Sequence, residues 1–237
     1  MNELSRAAVA EAYGTFLLTL VGPGAIIATN LVGPTRSSAT LGLIGLAHGV
    51  ALLVAIYSVG HVSGAHINPA VTIAQWATHR ISRRKVAPYI LAQLVGGTLA
   101  GLTQLALWSS SDTTTNVAQR TFLGGTVPNT GDFASGAVGA ALLAEVLGTA
   151  ILVFTIFGAT DKRAEKSWAG LAIGLVLAAL IWIFGPVSGA SLNPARSWGP
   201  AIASAGFSTI PLGYFWIYVV GPVLGGLLGG FLYEVVK

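Results

Sequence analysis

Six stretches of this chain, roughly residues 7–29, 41–60, 86–108, 135–158, 168–185 and 211–235, are long and apolar enough to cross a lipid bilayer. A span needs about 20 such residues, because a helix rises ~1.5 Å per residue and the hydrocarbon core is ~30 Å thick. Backbone N–H and C=O groups at that depth must be satisfied within the protein, so unbroken runs of this kind read as helices. The charge content agrees. Only 8% of residues are charged, where a soluble domain carries about 25%, and a water-facing surface cannot be built from so few. The expected class is an all-α integral membrane protein whose first apolar segment is a retained span rather than a cleaved signal peptide. The net charge of +4 sits mostly in short segments between spans, so no nucleic-acid partner is expected. Cysteine is absent, which removes disulfides and thiolate chemistry; no metal site and no cofactor are expected.

The cations set an orientation. With the N-terminus inside, Arg6, Arg80, Arg83, Arg84, Lys85, Lys162, Arg163, Lys166 and Lys237 fall on the inner side. Arg36 and Arg120 fall outside. That bias predicts both termini in the cytoplasm of a multi-pass protein, with the plasma membrane as its expected residence. The twelfth cation, Arg196, is left without a side. Pairs of small residues four apart (Gly45/Gly49, Gly97/Gly101, Gly170/Gly174, Gly221/Gly225 and Gly226/Gly230) predict close helix–helix contact.

Residues 61–79 and 186–204 do not fit a plain six-helix count. Both are semi-polar, too short to span, and carry Asn-Pro-Ala: Asn68, Pro69, Ala70 and Asn193, Pro194, Ala195. One follows an outside-to-inside span and the other an inside-to-outside span, so re-entry from opposite faces brings them together near the midplane. The halves also repeat. AEAYGT at 10–15 matches AEVLGT at 144–149, and AHINPAV at 65–71 matches ASLNPAR at 190–196. Each half holds three spans, an odd number, so the second half is inverted relative to the first. The chain reads as one channel domain, 1–237, with repeats of about 1–108 and 135–237 joined by an outer loop, 109–134. Inverted repeats with broken helices are one route to a site at the membrane centre.

The Asn-Pro pair is itself a helix start, since asparagine caps and proline is tolerated at the first helical position. Each asparagine spends its side-chain oxygen on its own half-helix, which leaves an NH2 donor with no local partner. Two helix N-termini facing each other add about half a positive charge apiece. Such a site suits the lone pair of a neutral solute and repels a cation. Non-helical backbone at membrane depth survives where it lines a cavity. The carbonyls of Ser63, Gly64, Ala65 and His66, and of Ser188, Gly189 and Ser191, are therefore expected to form acceptor ladders along a pore.

SGAHINPAVT at 63–72, SGASLNPARSWGPA at 188–201, one glutamate in each half and Ala92-Gln93 in the third span together resemble the aquaporins, of the major intrinsic protein superfamily. The resemblance covers nearly the whole chain, and the doubled motif with a trailing arginine is highly specific. It implies six spans plus two half-helices, a homotetramer with one pore per subunit, and a passive channel for water and small neutral solutes that excludes protons and ions. It places Arg196 at the outer pore mouth. A charge facing lipid at the helix centre costs about 2.5–3.5 kcal/mol even on the lenient scale, whereas a pore arginine is hydrated and repels cations.

The resemblance also gives Arg196 three filter partners: His48, Ile181 and Ala190. His48 lies near the outer end of the second span and Ile181 near the outer end of the fifth, in keeping with that. Strict water channels of the family usually carry Phe and His at the second- and fifth-span positions. The set here looks like the tonoplast-intrinsic subgroup, some members of which pass ammonia or urea as well as water. Ser197, Ala201 and the Phe215-Trp216 pair resemble the water-channel branch rather than the glycerol facilitators. Glu11 and Glu145 are read as buried acceptors that fix the loops. The rivals are a glycerol or urea facilitator, a coupled transporter that uses those two glutamates as a proton relay, and a non-conducting scaffold. No nucleophile–base constellation points to an enzyme.

Overall fold

The computed structural model describes residues 1–32 and 37–237. Arg36, one of the two cations assigned to the outer side, lies outside the described residues. The described chain is helical, and six of its helical stretches are long and apolar enough to cross a membrane: Glu3–Val32, Ser38–Ser63, Arg83–Trp108, Thr130–Ala159, Lys166–Ser188 and Ile210–Val236. In chain order the helices are α1 (Glu3–Val32), α2 (Ser38–Ser63), α3 (Pro69–Ala77), α4 (Arg83–Trp108), α5 (Asp112–Arg120), α6 (Thr130–Phe133), α7 (Ala137–Ala159), α8 (Ala169–Ser188), α9 (Pro194–Ser204), α10 (Ile210–Tyr214) and α11 (Ile217–Val236). The two half-helices are α3 and α9. The spans run a few residues past their expected ends, so each re-entrant segment begins only at residue 64 or 189.

The halves are built alike. In the first, α1 packs on α2 and α4; in the second, α7 packs on α8 and α11. They join where α2 crosses α8, and each half-helix lies against the third span of the other half, α9 on α4 and α3 on α11. Glycine makes these crossings possible. A methyl on Gly49 would sit 2.4 Å from the Gly174 carbonyl oxygen, and one on Gly199 would sit 2.1 Å from the Gly97 oxygen. Neither contact tolerates a side chain, so backbone meets backbone.

The stretch expected as an outer loop is folded. Ser111 and Thr114 form a capping box at the start of α5. Leu123 beyond it is fully buried in a cluster with Ile27, Val117 and Ala203. At the opposite end of the bundle, Lys85 pairs with Glu3 at 3.7 Å and Arg80 with Glu234 at 2.8 Å. The Arg80 guanidinium also lies 4.0 Å over the Phe157 ring, and the Tyr233 hydroxyl donates to Asp161 at 2.8 Å. Both termini therefore sit at the end of the bundle that carries the 78–82 turn and the 160–166 loop.

Candidate functional site

Each half-helix is preceded by the same backbone device. The span before it stops at a left-handed glycine, Gly64 (φ +90°) or Gly189 (φ +83°). Its N–H closes back onto the Gly60 or Gly185 carbonyl at 2.9 Å. Two further residues are then left-handed in alternation: Ala65 and Ile67, matched by Ala190 and Leu192. A non-glycine residue in that region costs about 1–3 kcal/mol, so something must hold four of them. The glutamates do. Glu11 accepts from the Ser63 hydroxyl (2.6 Å), the backbone N–H groups of His66 (2.9 Å) and Ile67 (2.6 Å), and the Gln93 amide (2.8 Å). Glu145 accepts from the Ser188 hydroxyl (2.8 Å) and the N–H groups of Ser191 (2.9 Å) and Leu192 (2.7 Å). Bonds to a charged acceptor contribute about 1.5–3 kcal/mol each, which more than offsets the strain. The shared sequence AExxGT also explains its glycine. A Cβ on Gly14 would lie 2.8 Å from the Ile67 side chain, and one on Gly148 would lie 2.6 Å from that of Leu192.

The asparagines cap as expected: Asn68 Oδ1 accepts from the Ala70 N–H at 2.9 Å, and Asn193 Oδ1 from the Ala195 N–H at 3.0 Å. Pro69 and Pro194 open the half-helices. Ala70 and Ala195 are fully buried, their carbonyls against Gly226 of α11 and Gly97 of α4. The NH2 groups, which have no local partner, find one in the opposite loop. Asn68 Nδ2 donates to the Leu192 carbonyl at 2.7 Å, and Asn193 Nδ2 to the Ile67 carbonyl at 2.9 Å. The two loops meet there, and each offers the other's asparagine the carbonyl just before its own. An amide NH2 carries two hydrogens, so each asparagine keeps one beyond this cross-bond.

Both asparagines line a cavity of about 70 Å³. Its end on the side of the two termini is formed by Gln75 and Thr160, which also line a wide charged vestibule with Arg80, Asp161 and Lys162. Its far end is formed by His48 and Arg196, and its walls include Leu18, Leu52, Val71, Leu152, Ile173 and Leu177. Of the residues expected to present carbonyls, Gly64, Ala65, His66 and Ser191 line it. Ser63 and Ser188 do not, because their carbonyls turn away and accept from the hydroxyls of Tyr89 (2.8 Å) and Tyr218 (2.7 Å). Gly189 packs on Thr126 instead.

Arg196 is 1% exposed. Its Nη1 donates to the Gly124 carbonyl at 2.9 Å, and its Nη2 lies 3.1 Å from His48 Nε2. Its Nε has no protein partner among the described residues. His48 Nδ1 lies 2.9 Å from the Ile44 carbonyl and must carry a proton to bond it. A guanidinium can only donate, so Nε2 must accept. The imidazole is therefore neutral and both of its nitrogens are engaged. Ile181 and Ala190 are buried in the apolar cluster that also holds Ile44 and Leu180, and neither lines the cavity, which ends at the His48–Arg196 contact.

A model of the major intrinsic protein family matches residues 1–233. The chain belongs to that family. It is 39% identical to the aquaporin AqpM of Methanothermobacter thermautotrophicus, over 99% of this chain and 98% of that one. It is 37% identical to aquaporin NIP1-1 of Zea mays, over 97% of this chain and 74% of that one. The X-ray structure of the aquaglyceroporin from Plasmodium falciparum superposes with a TM-score of 0.84 at 25% identity, over 98% and 96% of the two chains. Members of the family are passive channels, and this protein is an integral membrane channel rather than an enzyme.

Several residues of this major intrinsic protein chain are not singled out by its sequence. Tyr89 and Tyr218 anchor the span ends; Gln93, named above only as a mark of the resemblance, bridges Glu11 to the Thr72 hydroxyl at 3.0 Å. Ile56 and Ile173 line the cavity. A signal for those two was present: the spacings that lead from Asn193 to Ile181 and from Asn68 to His48 lead, in the other half, to Ile56 and Ile173.

Proposed function

We propose that this channel passes water in single file, together with small neutral solutes such as ammonia, and excludes protons and ions. The observation that carries this reading is the pair of crossed asparagines. Each caps its own half-helix, each binds the opposite loop, and each keeps one donor hydrogen at a cavity whose other walls are largely apolar. A water oxygen arriving there accepts from both amides, so its own hydrogens point outward along the file, and the positive ends of two helices disfavour a cation. The NPA residues 68–70 and 193–195 are the centre of the pore; His48, Ile181, Ala190 and Arg196 are its filter. The free Nε of Arg196 donates to passing solute. The neutral, doubly bonded His48 shapes the passage and relays no proton. The carbonyls of Gly64, Ala65, His66 and Ser191 serve as acceptors on either side of the asparagines.

A coupled transporter reading needs Glu11 and Glu145 to exchange protons. Four donors on one and three on the other leave neither carboxylate a free oxygen for that task, which supports the structural role. The protein works as a homotetramer with one pore per subunit, in the plasma membrane with both termini in the cytoplasm. Stopped-flow light scattering on reconstituted vesicles tests the reading, with water, ammonia, urea and glycerol compared in one preparation. The expected result is fast water flow with a low activation energy, measurable ammonia flow, and slow glycerol flow. Glycerol flow that rivals water makes it a glycerol facilitator, and saturable flux driven by a pH gradient makes it a transporter. Water flow no greater than that of empty vesicles defeats the channel assignment for this solute.

A further inference from the structure

The four filter residues come from α2, α8 and the loop and half-helix that follow α8, yet the two groups that hold Arg196 both rest on α1. A Cβ on Gly22 would lie 2.3 Å from His48 Cδ2, 2.4 Å from Nε2 and 2.7 Å from Cγ. The imidazole thus occupies the space that any side chain at position 22 would fill. The next residue does the same for the other acceptor. A Cβ on Gly124 would lie 2.3 Å from the Pro23 carbonyl oxygen and 2.6 Å from its Cα, so the Gly124 backbone, left-handed at φ +73°, is seated directly on Pro23. Gly124 is the residue whose carbonyl accepts from Arg196 Nη1.

This part of α1 is fixed from behind. Proline has no N–H to reach the carbonyl four residues earlier. The Gln104 amide from α4 supplies the donor instead, to the Thr19 carbonyl at 3.1 Å and the Leu20 carbonyl at 3.0 Å.

We infer that the Gly22-Pro23 step is a specificity-determining element of the pore: its bare surface sets how far His48 and Gly124 stand back, and so where the Arg196 guanidinium is held. Gly22 touches no solute. It is a positioning residue that acts through His48, and the inference rests on the filter reading given above. Any side chain there drives the imidazole toward the lumen and away from its 3.1 Å contact with Arg196.

The test is a double-mutant cycle on the reconstituted full-length channel, read as water and urea permeability at equal protein density. Gly22→Ala is expected to lower water permeability by about fivefold or more, because a displaced ring narrows a passage one water wide. His48→Ala is expected to raise urea permeability. In the His48→Ala background, Gly22→Ala is expected to change water permeability by less than about twofold, since the clash has been removed and the two sites are coupled. A Gly22→Ala loss that persists at full size without the imidazole overturns the inference, and so does a single variant with parental permeability to both solutes. If Gly22→Ala fails to reconstitute while the double variant reconstitutes normally, the clash is the cause and the inference stands; failure of both overturns it. A second readout separates positioning from bulk structure: the ¹⁵N resonance of His48 Nε2 should report an unprotonated acceptor bonded to Arg196 in the parent and lose that bond in Gly22→Ala. An unchanged resonance defeats the idea. A parent without water permeability defeats the functional reading and this inference together, whereas a conducting parent with additive variants defeats this inference alone.

Discussion

The two halves of the molecule use one backbone design and fill it with different side chains. Counted from its asparagine, Arg196 corresponds to Val71, Ala190 to Ala65, Ile181 to Ile56 and His48 to Ile173. The outer set contains a guanidinium and an imidazole. The inner set is apolar throughout, and all four of its members line the cavity. The polar pairs beside the half-helices differ as well. His66 Nδ1 lies 3.1 Å from the Thr72 hydroxyl, where the second half has Ser191 and Ser197 bonded at 2.6 Å. The cradle is symmetric because both loops need the same strain held. On the filter reading proposed above, the lining is asymmetric because only one level has to discriminate. On that reading, fold and selectivity are written largely in different residues, with Ala190 shared between the two.

The largest effect should come from the cradle. In Glu11→Gln the new NH2 faces N–H groups that now have no acceptor, and each buried donor left unsatisfied costs about 1–3 kcal/mol. Glu11 holds four donors and Glu145 three, because Gln93 lies four residues after Tyr89 of α4, whereas Pro222 lies four residues after the matching Tyr218 of α11. Glu11→Gln should therefore lower the thermal midpoint in detergent more than Glu145→Gln does, and both should lower it clearly. An equal or reversed order would show that the extra Gln93 bond adds nothing. Next in size is Arg196→Val, which gives the outer level the residue of the inner one. It removes the guanidinium from the Gly124 carbonyl and from His48, so urea and glycerol permeability should rise by about tenfold while water flow persists, as expected when pore width and donors set selectivity. Unchanged solute flux in the same vesicles would show that the arginine does not set the width.

How much of this was readable without coordinates depends on how each residue signals. The six spans were legible because lipid demands long apolar helices, and the half-helices because asparagine before proline is a helix start wherever it occurs. Arg196 was legible because a buried charge needs a reason. Ile56 and Ile173 were silent on their own, since an isoleucine in a span faces lipid, neighbour or pore with equal ease. Gly22 is one glycine among 31, and nothing in its surroundings says that an imidazole 26 positions later, at residue 48, will need its space. The crossed amide bonds were not legible for a related reason. Capping is local and follows from spacing, but the Leu192 and Ile67 carbonyls reach the asparagines only when the two halves have docked. The carbonyls of Ser63 and Ser188 were misplaced because the tyrosines that take them lie on other spans.

A cysteine placed at each of two matched positions sharpens the inner–outer comparison with a smaller perturbation. The parent has no cysteine, so its water flow should resist mercurials. Ala65 lines the cavity, and Ala190, its counterpart, lies buried beside the filter level. Ala65→Cys should confer nearly full block, reversed by added thiol. Ala190→Cys should confer block as well, if residue 190 stands at the filter as proposed. A fully resistant Ala190→Cys channel with normal water flow would remove that residue from the filter and leave His48 and Arg196 as its polar pair.

The smallest effect concerns the inner rim, where both halves are tied to α11: the first by Arg80 to Glu234, the second by Asp161 to the Tyr233 hydroxyl. The Arg163 side chain first, then the Arg163 backbone N–H and the Tyr233 hydroxyl, hold the Asp161 carboxyl well below the usual carboxylate range. A lowered value means that the carboxylate stabilises the folded loop at every pH above the ordinary aspartate value of about 3.9, and that this contribution fades only as pH falls through the lowered one. Titration of Asp161 should therefore leave water permeability level, within about twofold, between roughly pH 8 and pH 5. Asp161→Asn should leave that profile flat while loosening the tie to Tyr233, seen as faster amide exchange in residues 160–166 with little change in global stability. An inflection in the parent within that range would show that a different group of the vestibule controls access from the inner side.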